Sequence, residues 1–274
     1  MTTQQEKATR FRSLHQAAGV FVIANAWDGA SARILTGLGF RALATSSGAC
    51  AATLGRMDGK ITREEALAHA RAIVAYADCP VSADLEKGFG DSPQAVAETV
   101  RLAAETTGLA GCSIEDATGD KETPLFDLSL AVERITAASQ VASGLPFPFT
   151  LTARCENYVR GKADLDDTIR RLQAFEKAGA DVLFAPGLPD LAAVRAVCSA
   201  VSKPVNFMVG IKGKSFSVAE LAAAGVRRIS LATSLYRTAM TGLIAAAREV
   251  KDAGTFGFLD GAITTLELNR FLQS

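Results

Sequence analysis

The sequence lacks the residues from which several common functional sites are built. Only two of its 274 residues are histidines, His15 and His69, and neither lies beside a chemical motif. This argues against a three-histidine metal site and against a Ser-His-Asp triad. The five cysteines lie at least 29 residues apart and include no C-x-x-C pair. A zinc knuckle and a dithiol redox motif are therefore excluded as well.

An excess of charge of one sign and long apolar runs are also missing. Lys and Arg total 29 and Asp and Glu total 29, so the formal net charge is zero, and no basic run is present. These features predict that the protein does not bind nucleic acid. The apolar runs are strand-sized, well short of the ~20 residues of a membrane helix. Residues 1–12 are polar and do not resemble an export signal. We therefore expect a cytoplasmic protein without membrane attachment.

What the chain does contain is a regular alternation of strand-like and helix-like segments. Short β-branched or apolar runs are separated by Ala-rich amphipathic stretches, a pattern that predicts parallel strands joined by right-handed helical crossovers. Eight such units follow one another. The predicted strands are residues 20–24, 42–45, 81–84, 111–115, 150–154, 181–184, 205–208 and 228–231. The predicted helices between and after them are residues 30–38, 62–76, 93–106, 127–141, 165–178, 191–201, 218–224 and 234–251.

Eight β/α units can close into a barrel or open into a doubly wound sheet. A dinucleotide-binding sheet needs G-x-G-x-x-G after its first strand, and residues 25–30 (NAWDGA) contain no such run. The sequence therefore predicts a single α/β domain over residues 1–274, a (β/α)8 TIM barrel with its chemistry at the C-terminal ends of the strands. Residues 255–274 are surplus to the eight units and include a helix-like segment at 264–272. We expect this tail to be an oligomerisation segment that packs against a partner subunit.

Ionisable residues concentrate at the ends of three neighbouring predicted strands. Because side chains alternate along a strand, Asp84 and Glu86 share one face of the third strand. Glu115 ends the fourth strand and Arg154 ends the fifth. These four side chains are predicted to point into one mouth of the barrel. For any one of the acidic residues, capping of a helix is the alternative interpretation.

Carboxylates that share one mouth raise one another's pKa unless a cation lies between them. Oxygen ligands without histidine favour a hard ion, Mg²⁺ or Mn²⁺, and magnesium keeps several waters and takes few protein ligands. Arg154 offers a fixed fork of N–H donors to a carboxylate or phosphoryl group. Residues 45–49 (TSSGA) offer hydroxyls and backbone N–H groups to an anion. The pattern indicates a metal-assisted site for a small, doubly oxygenated anion.

Three further features admit more than one interpretation. Residues 87–90 (KGFG) form either a phosphate-binding loop or a plain turn. Residues 212–214 (KGK) form either an anion-binding loop or an exposed polar segment. Cys155 could be a nucleophile, but strand alternation turns it away from the barrel axis and favours a thiol in the core.

Five motifs, in order along the chain, resemble the isocitrate lyase / phosphoenolpyruvate mutase superfamily. They are TSSG at 45–48, MDG at 57–59, DLEKGFG at 84–90, SIED at 113–116 and ARCE at 153–156. The likeness runs from about residue 21 to residue 236, and the ordered set is specific where each motif alone is not. The resemblance implies a TIM barrel with an Mg²⁺ site and enolate or α-oxo acid chemistry. It also implies a homo-oligomer, a dimer or more typically a tetramer, whose last helix is swapped onto a neighbouring barrel.

The resemblance also assigns roles to individual residues. It implies that Asp84 is the direct metal ligand, that Glu86 and Glu115 bind the metal through water, and that Asp58 lies behind the metal-bound waters. By the same likeness, the groups that hold the substrate's carboxylate and oxo oxygens are Ser46, Ser47, Gly48, Asp84 and Arg154, with Asn206 on the seventh strand as a further contact. The predicted catalytic residues are Arg154, Asp58 and Glu115.

The chain departs from the superfamily pattern at two places. The usual Asp-x-Asp of the third strand is Asp84-Leu85-Glu86 here. The Lys-(Lys/Arg)-Cys-Gly-His loop of the lyases is replaced by DATGDKETP at 116–124, which has neither cysteine nor histidine. The His-Ile-Glu-Asp motif of the methylisocitrate lyases is SIED here, and the mutases' loop asparagine is not evident. These departures argue against isocitrate or methylisocitrate cleavage and against phosphonopyruvate formation.

The combined features predict an Mg²⁺-dependent enzyme that acts on a small α-oxo or dicarboxylic acid. It would break a C–C bond through an enolate, as a decarboxylase or a lyase. Decarboxylation fits best because departing CO₂ needs no acid to protonate it. A retro-aldol lyase needs a general base, for which the sequence offers only Tyr158 or a metal-bound water. The alternative hypothesis is an α-oxo acid binding protein with little or no turnover, because the acid of the loop after the fourth strand is missing.

Overall fold

The computed structural model describes residues 2–273. Eight parallel strands form a closed barrel in which each strand pairs with its sequence neighbours and β8 pairs with β1. The predicted TIM barrel is confirmed. The strands are β1 (Phe21–Asn25), β2 (Leu43–Ala44), β3 (Val81–Asp84), β4 (Gly111–Glu115), β5 (Thr150–Arg154), β6 (Val182–Phe184), β7 (Val205–Met208) and β8 (Arg228–Ser230).

Helices surround the barrel and extend beyond it at both ends of the chain. In chain order they are α1 (Gln4–Gln16), α2 (Gly29–Gly37), α3 (Ser47–Thr53), α4 (Arg63–Val74), α5 (Pro93–Thr107), α6 (Leu128–Gly144), α7 (Leu165–Lys177), α8 (Leu191–Ala200), α9 (Val218–Ala223), α10 (Ser234–Arg248) and α11 (Thr265–Leu272). A π-helical turn (Glu249–Ala253) extends α10, and a 3-10 helix (Gly257–Gly261) precedes α11.

The main apolar core lies between the strands and the surrounding helices. Cys112, Ile114 and Leu151 alternate outward from β4 and β5 and are fully buried in this layer. Their strand neighbours Ser113 and Arg154 point instead to the barrel axis, where they line a cavity. Strand alternation therefore separates the residues that stabilise the fold from those that form the site.

The sequence predicts no helix at residues 47–53, and the structure places α3 there. Ser46 is its N-cap, and the Ser46 hydroxyl accepts a hydrogen bond from the backbone N–H of Ala49 at 3.4 Å. The helix has seven mostly small residues, too few to show a clear amphipathic period. Its first turn directs the Ser47 N–H toward β3, so the glycine-containing segment acts as a helix start and not as a loop.

Helix α1 covers the N-terminal end of the barrel. The Phe11 ring packs edge-on against His15 and Phe21, with ring centroids 4.6 Å and 6.5 Å apart. Nδ1 of His15 lies 2.8 Å from the Phe11 carbonyl oxygen, so Nδ1 carries the proton and Nε2 is an acceptor. Burial, followed by the charge of Arg228, lowers the pKa of His15 to about 3. The imidazole is therefore neutral at neutral pH.

Because the folded protein binds no proton at His15 above about pH 3 whereas the unfolded chain does below about 6.5, acidification should destabilise the fold. Between pH 7.5 and pH 5.5 we expect His15 to contribute a loss of about 1.4 kcal/mol in the free energy of unfolding. Other groups titrate in this range, so the quantity to measure is the difference in pH dependence between the wild type and His15→Gln in urea unfolding. Equal pH dependence in the two proteins would contradict the assignment.

The C-terminal segment from α10 onward is exposed on the monomer. No residue of α10 is buried, and Leu243, Phe256, Leu259 and Leu266 are 60–66% exposed. The predicted tail helix is confirmed as α11. This helix lies against α2 of its own chain, where a Cβ on Gly37 would come within 3.0 Å of the Phe271 ring. The exposed apolar surface thus begins in α10, earlier than the predicted boundary at residue 255. Across residues 2–273 no helix combines the length and the apolar character needed to cross a membrane.

Candidate active site

The C-terminal end of the barrel opens into a cavity of about 250 Å³, here named the mouth cavity. All eight strands contribute to its lining, and its charged residues are Asp58, Asp84, Arg154 and Arg228. An adjoining recess of about 330 Å³, the acidic recess, shares Asp58 and Arg154 with it. The acidic recess adds the side chains of Glu86, Glu115, Glu156 and Arg160. The structure thus places the predicted carboxylates and Arg154 in one continuous region.

Arg154, the last residue of β5, lies between three carboxylates. Its Nη1 donates to Asp84 Oδ1 at 2.9 Å, and its Nη2 donates to Glu156 Oε1 at 2.9 Å. Nη2 also lies 3.2 Å from Glu115 Oε2. Burial disfavours the charge of Arg154, but Glu156, Asp84 and Glu115 together raise its pKa. The guanidinium stays cationic, and the fork predicted for a substrate is engaged by the protein's own carboxylates.

The Asp84 carboxylate at the end of β3 accepts hydrogen bonds on both oxygens. Oδ2 accepts from the backbone N–H and the hydroxyl of Ser47 at 3.2 Å and 3.1 Å. Oδ1 accepts from Arg154 and from the backbone N–H of Glu86, the latter at 3.2 Å. These donors come from α3, β5 and the turn after β3. Asp84 therefore has one fixed orientation toward the mouth cavity.

Glu86 reaches the site from a turn and not from a strand. β3 ends at Asp84, and Glu86 has a φ of 49°, in the left-handed region that residues with a side chain rarely occupy. Its Oε1 is buried and has no hydrogen-bond partner within the described residues. Burial, followed by the charges of Asp84 and Asp58, raises the pKa of Glu86 to about 7. Strained residues and unsatisfied polar atoms concentrate at functional sites, and Glu86 combines both.

Glu115 and Glu156 face each other beside Arg154 and Arg160. Glu115 ends β4, and Arg160 Nη2 donates to its Oε1 at 3.2 Å. Burial, followed by the charge of Glu156, raises the pKa of Glu115. Glu156 is 1% exposed, and its backbone N–H donates to Asp116 Oδ1 at 2.8 Å. Asp116, the residue after β4, thus fixes the backbone of a site residue.

The acidic surplus of the site fits a hard divalent cation. The two cavities are lined by five carboxylates and three guanidinium groups. The carboxylates belong to Asp58, Asp84, Glu86, Glu115 and Glu156, and the guanidinium groups belong to Arg154, Arg160 and Arg228. Nowhere in residues 2–273 do three or more His, Cys, Asp or Glu side chains form a group that could enclose a metal ion. The surplus of carboxylate oxygens is what suits Mg²⁺, an ion that takes few protein ligands directly and contacts others through water. Asp84 could be the direct ligand, and Glu86 Oε1 is an acceptor with no competing donor.

The predicted substrate-binding segment lies beside Asp84, and the donors of Ser47 are engaged by its carboxylate. The Ser46 hydroxyl caps α3, and both donors of Ser47 point to the Asp84 carboxylate. A Cβ on Gly48 would lie 3.2 Å from Asp58 Oδ2 and 3.1 Å from Thr233, so glycine allows α3 to approach both residues. Direct contact of these residues with a substrate remains a prediction.

The floor of the mouth cavity contains Arg228, a residue that no sequence motif had indicated. Asn206, predicted as a polar contact, accepts from Arg228 Nε at 2.8 Å and donates to Ser230 at 3.0 Å. Arg228 begins β8 and is 5% exposed. Its inward direction follows from strand alternation, because Arg228 and Ser230 share one face. Glu156 could have been found from the ARCE motif at 153–156, to which it belongs, whereas no sequence signal indicated Arg160.

Three sequence candidates lie outside this region. Tyr158 is absent from the residues that line the mouth cavity and the acidic recess in the described chain, so the geometry does not favour Tyr158 as the general base of a retro-aldol lyase. Cys155 is 1% exposed and burial raises its pKa, which confirms a thiol in the core. Lys87 donates to Asp91 and to the Thr118 carbonyl, which favours a plain turn at residues 87–90.

Comparison with known proteins gives a match over most of the chain. The family model described as phosphoenolpyruvate phosphomutase matches residues 11–251. Protein Rv1998c of Mycobacterium tuberculosis (strain ATCC 25618 / H37Rv), which has no assigned activity, is 34% identical over 244 residues, 88% of this chain and 89% of its own length. The oxaloacetate decarboxylase of Bradyrhizobium diazoefficiens is 33% identical over 208 residues, 73% of this chain and 70% of its own length.

Solved structures agree with this match. A crystal structure from Burkholderia cenocepacia J2315, of a protein described only broadly as a lyase/mutase, is 50% identical with a TM-score of 0.97 and covers 99% of this chain and 98% of its own. The structure of 2,3-dimethylmalate lyase, a PEP mutase/isocitrate lyase superfamily member, is 29% identical with a TM-score of 0.86. It covers 99% of this chain and 95% of its own.

Proposed function

The chain belongs to the phosphoenolpyruvate phosphomutase family, within the PEP mutase/isocitrate lyase superfamily, and from this we propose that it is an Mg²⁺-dependent enzyme acting on a small α-oxo carboxylate. Relatives with named activities include lyases, decarboxylases and a phosphomutase, which supports an enzyme. The reaction that we propose is C–C bond cleavage through an enolate, and decarboxylation in particular. The observation that carries the proposal is the group of carboxylates around Arg154, with the unpartnered Oε1 of Glu86 at its edge.

Asp84, Glu86 and Glu115 would hold the ion, Asp84 directly and the other two through water, with Asp58 behind those waters. When bound, Mg²⁺ would withdraw charge from the substrate's carboxylate and oxo oxygens. The donors of Ser47 and the backbone N–H of Glu86 keep the Asp84 carboxylate in one orientation. Because Arg154 also donates to this carboxylate, a directly bound ion would displace one of its present donors. Mn²⁺ satisfies the same oxygen donors.

Arg154 would stabilise the negative charge that develops on the substrate. It lies beside Asp84 and remains cationic because three carboxylates surround it. In decarboxylation the bond to the leaving carboxylate breaks, CO₂ departs, and the electron pair of the bond becomes the enolate. The enolate then takes a proton from water to give an α-oxo acid with one carbon fewer. Preorganised charge at the developing enolate is usually the largest catalytic contribution.

The test is to incubate the purified protein and Mg²⁺ separately with oxaloacetate, 2-methylisocitrate and phosphonopyruvate while pyruvate formation is followed. We expect pyruvate from oxaloacetate, with loss of the activity on addition of EDTA. Each substrate with Mg²⁺ and no protein gives the background rate. Pyruvate from 2-methylisocitrate would favour a lyase. Binding of oxalate without product from any of the three would favour the α-oxo acid binding protein, and no Mg²⁺-dependent binding would contradict both hypotheses.

We also propose that the protein is a homo-oligomer, a dimer or a tetramer, in which the exposed apolar side chains of the segment from α10 to α11 pack against a neighbouring barrel. The exposed apolar residues of this segment, Leu243 and Leu266 among them, support the proposal, because large exposed apolar patches mark interaction sites. Sedimentation equilibrium tests it, and a particle of 28.6 kDa would contradict it.

The cytoplasmic location stays a prediction from the sequence.

A further inference from the structure

Arg228 is a buried cation without an acidic partner in the described chain. Its Nε donates to Asn206 Oδ1 at 2.8 Å and its Nη2 donates to Thr152 Oγ1 at 3.1 Å. Its Nη1 lies 3.3 Å from His15 Nε2. All three partners are neutral. The Asn206 and Thr152 side chains carry no charge, and His15 has its single proton on Nδ1, so its Nε2 is an acceptor. No ion pair joins Arg228 to any carboxylate between residues 2 and 273.

A second buried arginine shows what a purely structural guanidinium looks like in this fold. Arg134 donates to the backbone carbonyls of Lys87, Gly90 and Asp91 and lies over the Phe126 ring. Arg134 fixes a turn, and among the described residues it lines neither the mouth cavity nor the acidic recess. The charges of Asp91, Asp116 and Glu115 partly offset the burial that lowers the pKa of Arg134. For Arg228 burial acts alone and lowers its pKa to about 9.

The side chain of Arg228 faces an accessible space. It lines the floor of the mouth cavity together with Asn206 and Ser230, and the same cavity is lined at its opening by Asp84 and Arg154. Thr152, which Arg228 contacts, lies two residues before Arg154 on β5. Two residues of strand span roughly 6.6 Å. The cavity therefore has two ends of opposite character, an acidic opening and a cationic floor, separated by about the length of a short dicarboxylate.

We propose that Arg228 forms a second anion subsite, which binds the distal carboxylate of a dicarboxylic α-oxo acid. The inference rests on the proposed function, in which Asp84 and Arg154 hold the α-oxo carboxylate end of the same molecule. An arginine has five N–H donors, and the contacts to Asn206, Thr152 and His15 use three of them. The remaining N–H groups can bind a carboxylate, which would supply the missing negative charge. In the proposed decarboxylation this distal carboxylate leaves as neutral CO₂. The subsite therefore contributes to binding and to selectivity for dicarboxylic over monocarboxylic α-oxo acids, and not to the bond-breaking step.

The experiment measures the affinity of the Mg²⁺-loaded protein for three ligands by calorimetry at 4 °C, with pyruvate formation checked on the same samples. The affinity for oxalate measures binding at the mouth of the cavity alone, where Asp84 and Arg154 lie. Oxaloacetate and 2-oxobutyrate share the α-oxo carboxylate and differ in the distal group, which is a carboxylate in the first and a methyl group in the second. We expect the wild type to bind oxaloacetate at least about 10-fold more tightly than 2-oxobutyrate, since hydrogen bonds to charged groups contribute that much or more.

The variant Arg228→Gln should weaken oxaloacetate binding by about 10- to 100-fold and leave oxalate binding unchanged. The matched control is Arg227→Gln, because the neighbouring Arg227 is exposed and donates to the Gly19 carbonyl. Equal weakening of oxalate and oxaloacetate in Arg228→Gln would show a structural role and overturn the subsite. Equal affinities of the wild type for oxaloacetate and 2-oxobutyrate would also overturn the subsite. This comparison needs no variant, so the proposal can be tested even if Arg228→Gln does not fold. Absence of oxalate binding to the wild type would instead refute the proposed function, and the subsite with it.

Discussion

Replacement of Asp84 by asparagine is expected to abolish Mg²⁺-dependent oxalate binding and to lower kcat/KM for oxaloacetate at least about a thousandfold. A bound metal ion contributes several kcal/mol of transition-state stabilisation, and each factor of ten corresponds to about 1.4 kcal/mol. The amide introduced by Asp84→Asn would keep an oxygen that accepts a hydrogen bond but would lose the negative charge that a dication requires. Calorimetry with oxalate, with and without Mg²⁺, measures the binding, and the pyruvate assay measures turnover.

The matched control for this substitution is Asp91→Asn, which makes the same chemical change in the turn that follows β3. Asp91 is 68% exposed and pairs with Lys87, so this variant should bind oxalate and turn over oxaloacetate as the wild type does. Circular dichroism of both variants separates loss of the site from loss of the fold. Undiminished Mg²⁺-dependent oxalate binding by the Asp84→Asn protein would remove the basis of the metal assignment.

Replacement of Arg154 by glutamine should affect both turnover and stability. It would remove the positive charge beside Asp84 and lower kcat by about 100- to 1000-fold, as the loss of a preorganised charge-stabilising donor does. It would also leave Asp84, Glu115 and Glu156 without their shared partner, and breaking a buried ion pair costs about 3–5 kcal/mol. The pyruvate assay and urea unfolding measure the two effects.

Two further variants distinguish the geometry of Arg154 from its charge. Arg154→Lys restores a cation but cannot contact three carboxylates at once, so it should recover part of the stability and little of the turnover. Arg101→Gln removes an exposed pair of contacts to Glu98 and Glu105 on α5 and should cost less than about 1 kcal/mol. A destabilisation of Arg154→Gln no larger than that of Arg101→Gln would contradict the central role of this guanidinium.

The positions of Asp84, Glu115 and Arg154 could be predicted from the sequence because each ends a strand of clear alternation. Their side chains do face the cavity region, as strand parity requires. For Glu86, strand alternation correctly predicted a side chain that faces the site, but the residue does not lie on the strand. The strand stops at Asp84, and a left-handed turn brings Glu86 back to the site. Such a turn cannot be recognised from alternation, because alternation describes only extended backbone.

By itself, the sequence determined the order and type of the elements, the barrel, and the face on which each strand residue lies. These properties depend on local periodicity, which the spacing of apolar residues records directly. Only the tertiary structure decided which side chains meet: Arg154 among three carboxylates, the Ser47 donors on Asp84, and Arg228 with neutral partners below them. Those contacts depend on register between strands and on burial from several directions, so they arise only when residues distant in sequence are brought together by the closed barrel.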